Sequence, residues 1–367
     1  MTAPSPSSPS HGIVLYGATG YTGRLIAHEL DRRGATVVLA GRSRARLDEL
    51  AAALHRPAEV RVADVAERSS LRAALEGARV VLSCAGPFTL LGPPVQDAAL
   101  EARAHFLDIT GEQGYMRATF ARDSEARARD VALVNAVGFD VVPTDLALHL
   151  AARDLVPVAS AELALSVASA GASRGTTRSA ALRMGDEGAC FHDGAWRDEP
   201  VGTHHRQVIF PAPVGAREVF SLPWGDVATA PRTTGARDVR VYMRLPPALA
   251  RLLPLMRRTR SIVQRLALPK LAELWARRLP EGPSPEDRAT TRFAIWARAV
   301  SEDGRAREVT VVGSDPYGLT AVTAAHAAME LAKDGPHPAG ALTPTQALDP
   351  AALRAELERI GTKFQVG

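Results

Sequence analysis

Between Gly12 and Phe139 the chain alternates short, almost wholly apolar runs with amphipathic stretches: IVLYG, TVVLAG, VRVADV, VVLSCAG, HFLDIT and VALVNAVG, each followed by a helix-like segment. A strand with one wet face alternates polar and apolar residues, whereas a run apolar throughout is covered on both faces. Such runs separated by helices build a parallel sheet sandwiched between helical layers. Residues 12–154 therefore predict a doubly wound α/β domain.

The texture changes beyond the helical stretch Pro143 to Arg153. AELALSVAS, HHRQVIF, AREVFSLPW, ARDVRVYM, RFAIWARAVS and REVTVVG read as strands, several of them alternating, with a helical block from Pro247 to Arg278 between the fourth and fifth. A second, α+β domain is expected over 155–315. LTAVTAAHAAMELA and PAALRAELERI then predict C-terminal helices over 316–367 that pack back on the first domain. The opening MTAPSPSSPSH has neither a basic nor an apolar region of an export signal and reads as a disordered lead, residues 1–11. No window of 18 apolar residues occurs, and Cys84 and Cys190 show no metal-ligand or disulfide spacing, so a cytoplasmic setting and no metal are expected. A formal net charge of +4 with no zinc-finger or RNP pattern argues against nucleic acid.

Gly17, Gly20 and Gly23, in GATGYTG, stand between the first strand and the first helix. Glycines there permit a tight turn and let backbone approach a pyrophosphate at a helix N-terminus, which makes Thr19, Tyr21 and Thr22 cofactor contacts as well. After the second strand, where an NAD site keeps an acidic residue for the ribose, this chain has Arg42. Arg42, Ser43 and Arg46 suit a 2′-phosphate, hence NADP(H), although Ser43 could equally cap the next helix. Asp64 ends the third run, either at an adenine or as a turn residue. Ala85, Gly86 and Pro87 end the fourth, where the crevice would take the middle of a dinucleotide. No Tyr-x-x-x-Lys, GxSxG, HExxH or Walker lysine loop is present.

GATGYTG, CAGPF (84–88), DITGE (108–112) and GFDVVPTD (138–145), with GDVATAPRTTGARDV, SDPYGLTA and GALTPTQAL, resemble the saccharopine dehydrogenase-like oxidoreductases, and within them the bacterial trans-acting enoyl reductases of polyketide and lipid assembly. The resemblance implies a Rossmann-type domain, an inserted α+β substrate and dimerisation domain, NADPH-dependent reduction and a homodimer. It makes the glycine loop and Arg42 cofactor contacts, sets CAGPF and DITGE on the nicotinamide side, and makes GFDVVPTD the hinge. It brings no catalytic acid with it.

Reduction of an enoyl thioester puts hydride on the β-carbon and charge on the thioester oxygen, so the site needs donors for that oxygen and a proton for the α-carbon. Backbone N–H groups near Gly86 or Gly138 suit the first need, and Tyr115 or Tyr317 the second. Each tyrosine fits a packing role as well. Glu112, Asp140 and Asp145 are acidic candidates that equally suit caps or hinge hydrogen bonds. The basic segment 247–279, with Arg251, Arg257, Arg258, Arg260, Arg265, Lys270, Arg277 and Arg278 against Glu273, reads either as a solvated helix face or as a docking surface for an acyl carrier protein or an anionic membrane. Two other readings stand: a saccharopine-type C=N oxidoreductase using Arg174, Arg178 and Arg183, and an NADP-binding sensor or scaffold without turnover.

Overall fold

Strands β1 (His11–Tyr16), β2 (Val37–Gly41), β3 (Glu59–Val62), β4 (Ala78–Ser83), β5 (His105–Asp108) and β6 (Ala132–Val134) lie in the order β3-β2-β1-β4-β5-β6, all parallel. The computed structural model describes residues 11–168, 171–182, 188–245, 250–251, 274–276 and 278–367. Strand order reverses between β1 and β4, and this reversal opens a crevice at the carboxyl ends of the strands. The apolar runs form the centre because both faces are covered: Ile13, Val14, Leu15, Val80, Val81 and Leu82 are all buried. β3 is the edge strand and behaves as one, with Val62 48% exposed. It ends before Asp64, which falls in the following turn.

Helices α1 (Tyr21–Arg32), α2 (Arg44–Ala52), α3 (Arg68–Ala74), α4 (Phe88–Glu101), α5 (Gln113–Phe120) and α6 (Asp123–Ala128) connect these strands. The chain leaves the sheet through α7 (Val142–Ala152) into β7 (Val158–Ala168) and α8 (Arg174–Leu182). Next come β8 (Ala189–His192), β9 (Ala195–Asp198), β10 (His205–Phe210), β11 (Gly215–Ser221), α9 (Asp226–Thr234), β12 (Asp238–Met243), β13 (Arg292–Ser301) and β14 (Ala306–Ser314). Among the described residues these strands form a mixed second sheet in which only β12 and β7 pair parallel. Helices α7 and α9 pack against it, and one apolar cluster runs from Leu15 and Leu82 through Leu146 and Ala230 to Ile295 and Val309.

The C-terminal residues depart from the all-helical expectation. The helix Pro316–Leu331 does lie against α1, β4 and β5, with Ala321, Ala324, Ala325, Ala327 and Ala328 buried along it. However, β15 (Gly340–Leu342) adds a seventh parallel strand beside β6, and β16 (Lys363–Val366) pairs antiparallel with β14 in the second sheet. The end of the chain therefore ties both sheets together. The hairpin β8–β9 adds two short antiparallel strands beyond those read from the sequence. Among the described residues no helix is long and apolar enough to cross a membrane.

Candidate functional site

The glycine loop is built by close backbone approach. Gly17, at φ +76°, passes the end of β4 so tightly that a Cβ would lie 2.9 Å from the Ala85 nitrogen, and its N–H donates to the Ala40 carbonyl at 2.9 Å. Gly23 is packed into the loop, where a Cβ would come within 2.5 Å of the Gly17 carbonyl oxygen. Gly20 is the N-cap of α1 and supplies no side chain, so the amides of Tyr21, Thr22 and Gly23 open the helix without a side-chain acceptor. These N–H groups and the helix dipole present partial positive charge to the crevice. Half-buried Thr19 turns its carbonyl outward to Arg24 and Arg46, which donate to it at 2.8 and 3.0 Å.

Arg42 follows β2, is exposed, and makes no ion pair with any described residue. Ser43 takes the capping role, its Oγ accepting from the Arg46 N–H at 3.5 Å. Arg46 is not free, since its guanidinium also donates to Glu281 at 2.9 Å. Asp64 is occupied as a turn residue: its Oδ1 accepts from the Ala66 N–H at 3.0 Å and its own N–H donates to Ser70 Oγ at 3.0 Å.

On the other side of the crevice Ala85 and Gly86 lead into Pro87, the N-cap of α4. Pro87 carries no capping side chain, and Glu112, itself the N-cap position of α5 after β5, performs that function. Only 3% exposed, Glu112 accepts at Oε1 from the Phe88 N–H (2.9 Å) and Ser179 Oγ (2.7 Å), and at Oε2 from the Thr89 N–H (2.7 Å) and Oγ1 (2.5 Å). The same carboxylate thus fixes the helix start and holds α8 over the crevice. At its other end the Ser173 N–H, just before α8, donates to the Tyr317 hydroxyl at 2.6 Å. At 1.5 Å per residue, Ser173 to Ser179 spans about 9 Å, so α8 roofs the crevice from the glycine loop to the β5 end.

Tyr317 is half-buried and meets Tyr21 edge to face, with ring centroids 5.2 Å apart. Tyr115 is placed differently: it is 4% exposed, stacks on Phe88, and crowds Gly92, where a Cβ would lie 2.6 Å from its hydroxyl. Its buried hydroxyl lies beside α4 and within the electrostatic reach of the Asp108 carboxyl. Asp140 sits at the crevice beside Gly111, where a Cβ would be 2.6 Å from its Oδ2, while its carbonyl accepts from Trp224 Nε1 at 2.8 Å. Gly138 is pressed against Thr320, whose Oγ1 accepts from the Phe139 N–H at 2.9 Å.

Three buried carboxyls organise this region: Asp145, one of the acidic candidates in the sequence, and Asp108 and Asp226, which are not among them. Asp108 accepts from the N–H groups of Thr110 (3.1 Å) and Ala136 (2.9 Å) and from Asn135 Nδ2 (2.6 Å). Burial pushes its carboxyl up to about 6 against the pull of those donors. Burial, and then the Asp108 charge, push the Cys84 thiol far up, which makes it a poor nucleophile. Asp145 is fully buried, accepting from Thr233 Oγ1 at one oxygen and from the Thr345 N–H (3.0 Å) and Oγ1 (2.7 Å) at the other. It is therefore a joint between α7, α9 and the C-terminal segment. Asp226 on α9 lies close by, bonded to Thr144 Oγ1 at 2.5 Å.

The basic segment 247–279 lies largely outside the described residues, including Arg257, Arg258 and Arg260, and so does Arg183. Arg174 is committed to the backbone, its Nε donating to the Leu279 carbonyl at 2.7 Å. No cluster among the described residues could hold a metal ion.

Residues 13–134 match the family described as the saccharopine dehydrogenase NADP binding domain. A trans-acting enoyl reductase of Mycobacterium leprae is 36% identical over 165 residues, covering 43% of this chain and 40% of that protein. A saccharopine dehydrogenase-like oxidoreductase of Mus musculus is 27% identical over 212 residues, covering 53% of this chain and 46% of that protein. The matches thus span less than half the length of these relatives. Among solved structures, apo saccharopine dehydrogenase (L-Glu forming) of Saccharomyces cerevisiae aligns over 97% of this chain and 99% of its own, with a TM-score of 0.60 at 13% identity. At that identity the likeness is one of fold.

Proposed function

We propose that this chain, whose residues 13–134 match the saccharopine dehydrogenase NADP binding domain, is an oxidoreductase that reduces an enoyl thioester or a related polyketide- or lipid-type acyl substrate. One observation carries the coenzyme side: a glycine cradle that admits no Cβ at Gly17 or Gly23, followed by an exposed Arg42 without an acidic partner among the described residues. The donor set fits NADP(H), with first-turn amides for the pyrophosphate and a guanidinium where an NAD site keeps a carboxylate. The names of the mycobacterial relatives support the enoyl substrate.

Bound NADPH supplies the hydride. The chain's own residues bind, orient and exclude water. The N–H groups of Tyr21, Thr22 and Gly23 hold the pyrophosphate, and Arg42, with Ser43 and Arg46, holds the 2′-phosphate. Ala85 and Gly86 line the opposite wall, and the α8 roof keeps water from the reacting carbons. Backbone N–H groups at Gly86 or Gly138 take the developing charge on the thioester oxygen. The Tyr317 hydroxyl accepts from the Ser173 N–H, with Thr176 Oγ1 3.4 Å away, and supplies its proton to the α-carbon. Docking of a carrier protein or an anionic membrane surface through 247–279, and a cytoplasmic homodimer, complete this reading. The amino-acid alternative gains nothing from Arg174, whose guanidinium already holds the Leu279 carbonyl.

The test titrates the protein with NADPH and NADH, with Arg42→Glu as control, and follows NADPH oxidation by free and carrier-bound enoyl thioesters and by imines. The expected outcome is tight NADPH binding that weakens at least tenfold in Arg42→Glu, with turnover by an enoyl thioester, since one lost charge-assisted contact made into a repulsion is worth more than about 1.4 kcal/mol. Turnover with imines alone would favour the amino-acid oxidoreductase, and binding with no turnover by any acceptor would favour a sensor.

A further inference from the structure

The segment Leu279–Ser284 crosses the mouth of the glycine loop and is fastened there at several points. Glu281 sets one carboxylate oxygen 2.5 Å from Arg24 Nη2 and the other 2.9 Å from Arg46 Nη2. Gly282 lies against the Tyr21 ring, where a Cβ would come within 2.6 Å of three ring carbons, and the Tyr21 hydroxyl donates to the Pro283 carbonyl at 2.7 Å. From the second domain, the Arg174 N–H donates to the Glu281 carbonyl at 3.1 Å. Ser284 then opens a short helix, Pro285–Thr290, through a reciprocal cap with Asp287. Burial alone would raise the Glu281 carboxyl, but Arg24 and Arg46 outweigh it and hold it below its usual range.

Arg46 lies one helical turn beyond Arg42 and Ser43, so the carboxylate of Glu281 occupies a guanidinium that a 2′-phosphate at Arg42 would also reach. Both are oxyanions that use paired oxygens on the same N–H groups, and two anions on one partly exposed guanidinium repel each other. We propose that Glu281 is a specificity-determining residue of the coenzyme site: its carboxylate competes with the 2′-phosphate of NADP(H) for Arg46, and phosphate binding releases the 279–284 strap from α2. This rests on the assignment of the 2′-phosphate to Arg42 and Arg46. NADH carries no group that can take Arg46 from Glu281, so removing the carboxylate benefits only the phosphorylated coenzyme. Arg24 also donates through Nη1 to the Thr19 carbonyl at 2.8 Å, a bond that does not involve the strap.

The experiment titrates the full chain with NADPH, NADH and 2′,5′-ADP, comparing wild type with Glu281→Gln at low salt and at about 0.2 M salt, where screening shortens the reach of exposed charges. Glutamine keeps the length and polarity of the side chain, and Glu281→Asp, which shortens its reach, serves as an intermediate. Removing an exposed ion pair and its repulsion of phosphate is expected to tighten NADPH and 2′,5′-ADP about fivefold to tenfold, with NADH within about twofold and the gain shrinking in salt. Unchanged or weakened NADPH binding, or equal tightening of NADPH and NADH, overturns the competition. A wild type that binds NADPH no better than NADH removes the phosphate assignment beneath it. A wild type that discriminates while Glu281→Gln does not move overturns the competition alone.

Discussion

Asp226 on α9 is fully buried, and its Oδ2 finds no hydrogen-bond partner among the described residues. Burial is the largest cause that raises its carboxyl well above the usual 3.8; the Thr144 hydrogen bond lowers it, and the charges of Asp145 and Asp140 raise it further. A carboxyl raised in the folded state binds its proton more tightly there than in the unfolded chain. The sign follows: its favourable contribution is complete below the unfolded value near 3.8 and is lost as pH climbs toward the folded value. Within that window the loss is about 1.4 kcal/mol per pH unit, so the interval from about pH 4 to 7 carries at most about 4 kcal/mol. Asp226→Asn keeps an oxygen for Thr144 and never ionises, at a pH-independent cost of about 1–3 kcal/mol if its new N–H₂ group stays unpaired. Asp145 is also raised by burial, but its slope is common to both proteins and largely cancels. Urea denaturation followed by circular dichroism at pH 4.5, 5.5, 6.5 and 7.5 should therefore show the variant gaining on wild type as pH rises, level or behind at the acid end and ahead by at most about 3 kcal/mol at the neutral end. A difference between the two proteins that does not change with pH would refute the assignment of a raised Asp226 carboxyl.

Gly23→Ala places a Cβ 2.5 Å from the Gly17 carbonyl oxygen and 2.8 Å from that of Ala18, backbone atoms that cannot move without opening the loop. The variant should lose about 1–3 kcal/mol of stability and more than tenfold in NADPH affinity, read by thermal melts and fluorescence titration. Tyr317→Phe removes the proton that the proposed reaction needs but keeps the ring against Tyr21. Turnover should fall about 10²-fold or more with NADPH affinity little changed, and an unaltered turnover would exclude Tyr317 as the donor.

The first sheet was legible because parallel strands buried on both faces must be apolar throughout, and nothing at a distance can disguise IVLY, VVLA or VVLS. The strands without a sequence signature lie at edges or are very short, where that demand relaxes: KFQV in β16 carries a lysine and a glutamine, and β15 is three residues long. The β8–β9 hairpin did leave a local mark, the pair Asp193-Gly194, with φ +51° and +73°. Asp-Gly is the combination that a tight two-residue hairpin favours, but the flanking runs were too short and mixed to stand out as strands.

The candidate site divides along the same line. Glycine positions and Arg42 were readable because one strand–loop–helix segment and the next strand end supply them, all within about 30 residues of chain. The carboxylates that shape the cleft answer to partners far along the chain: Glu112 caps a helix that begins 24 residues earlier, and Glu281 reaches Arg46 across 235 residues. A carboxylate's role is set by which donors face it, and its immediate neighbours in sequence do not supply them here. For Glu112 those donors are two amides and two hydroxyls, which hold a helix start and the α8 roof together. For Glu281 they are two guanidiniums on the rim of the coenzyme site, where one carboxylate can change which coenzyme binds without touching the reacting atoms.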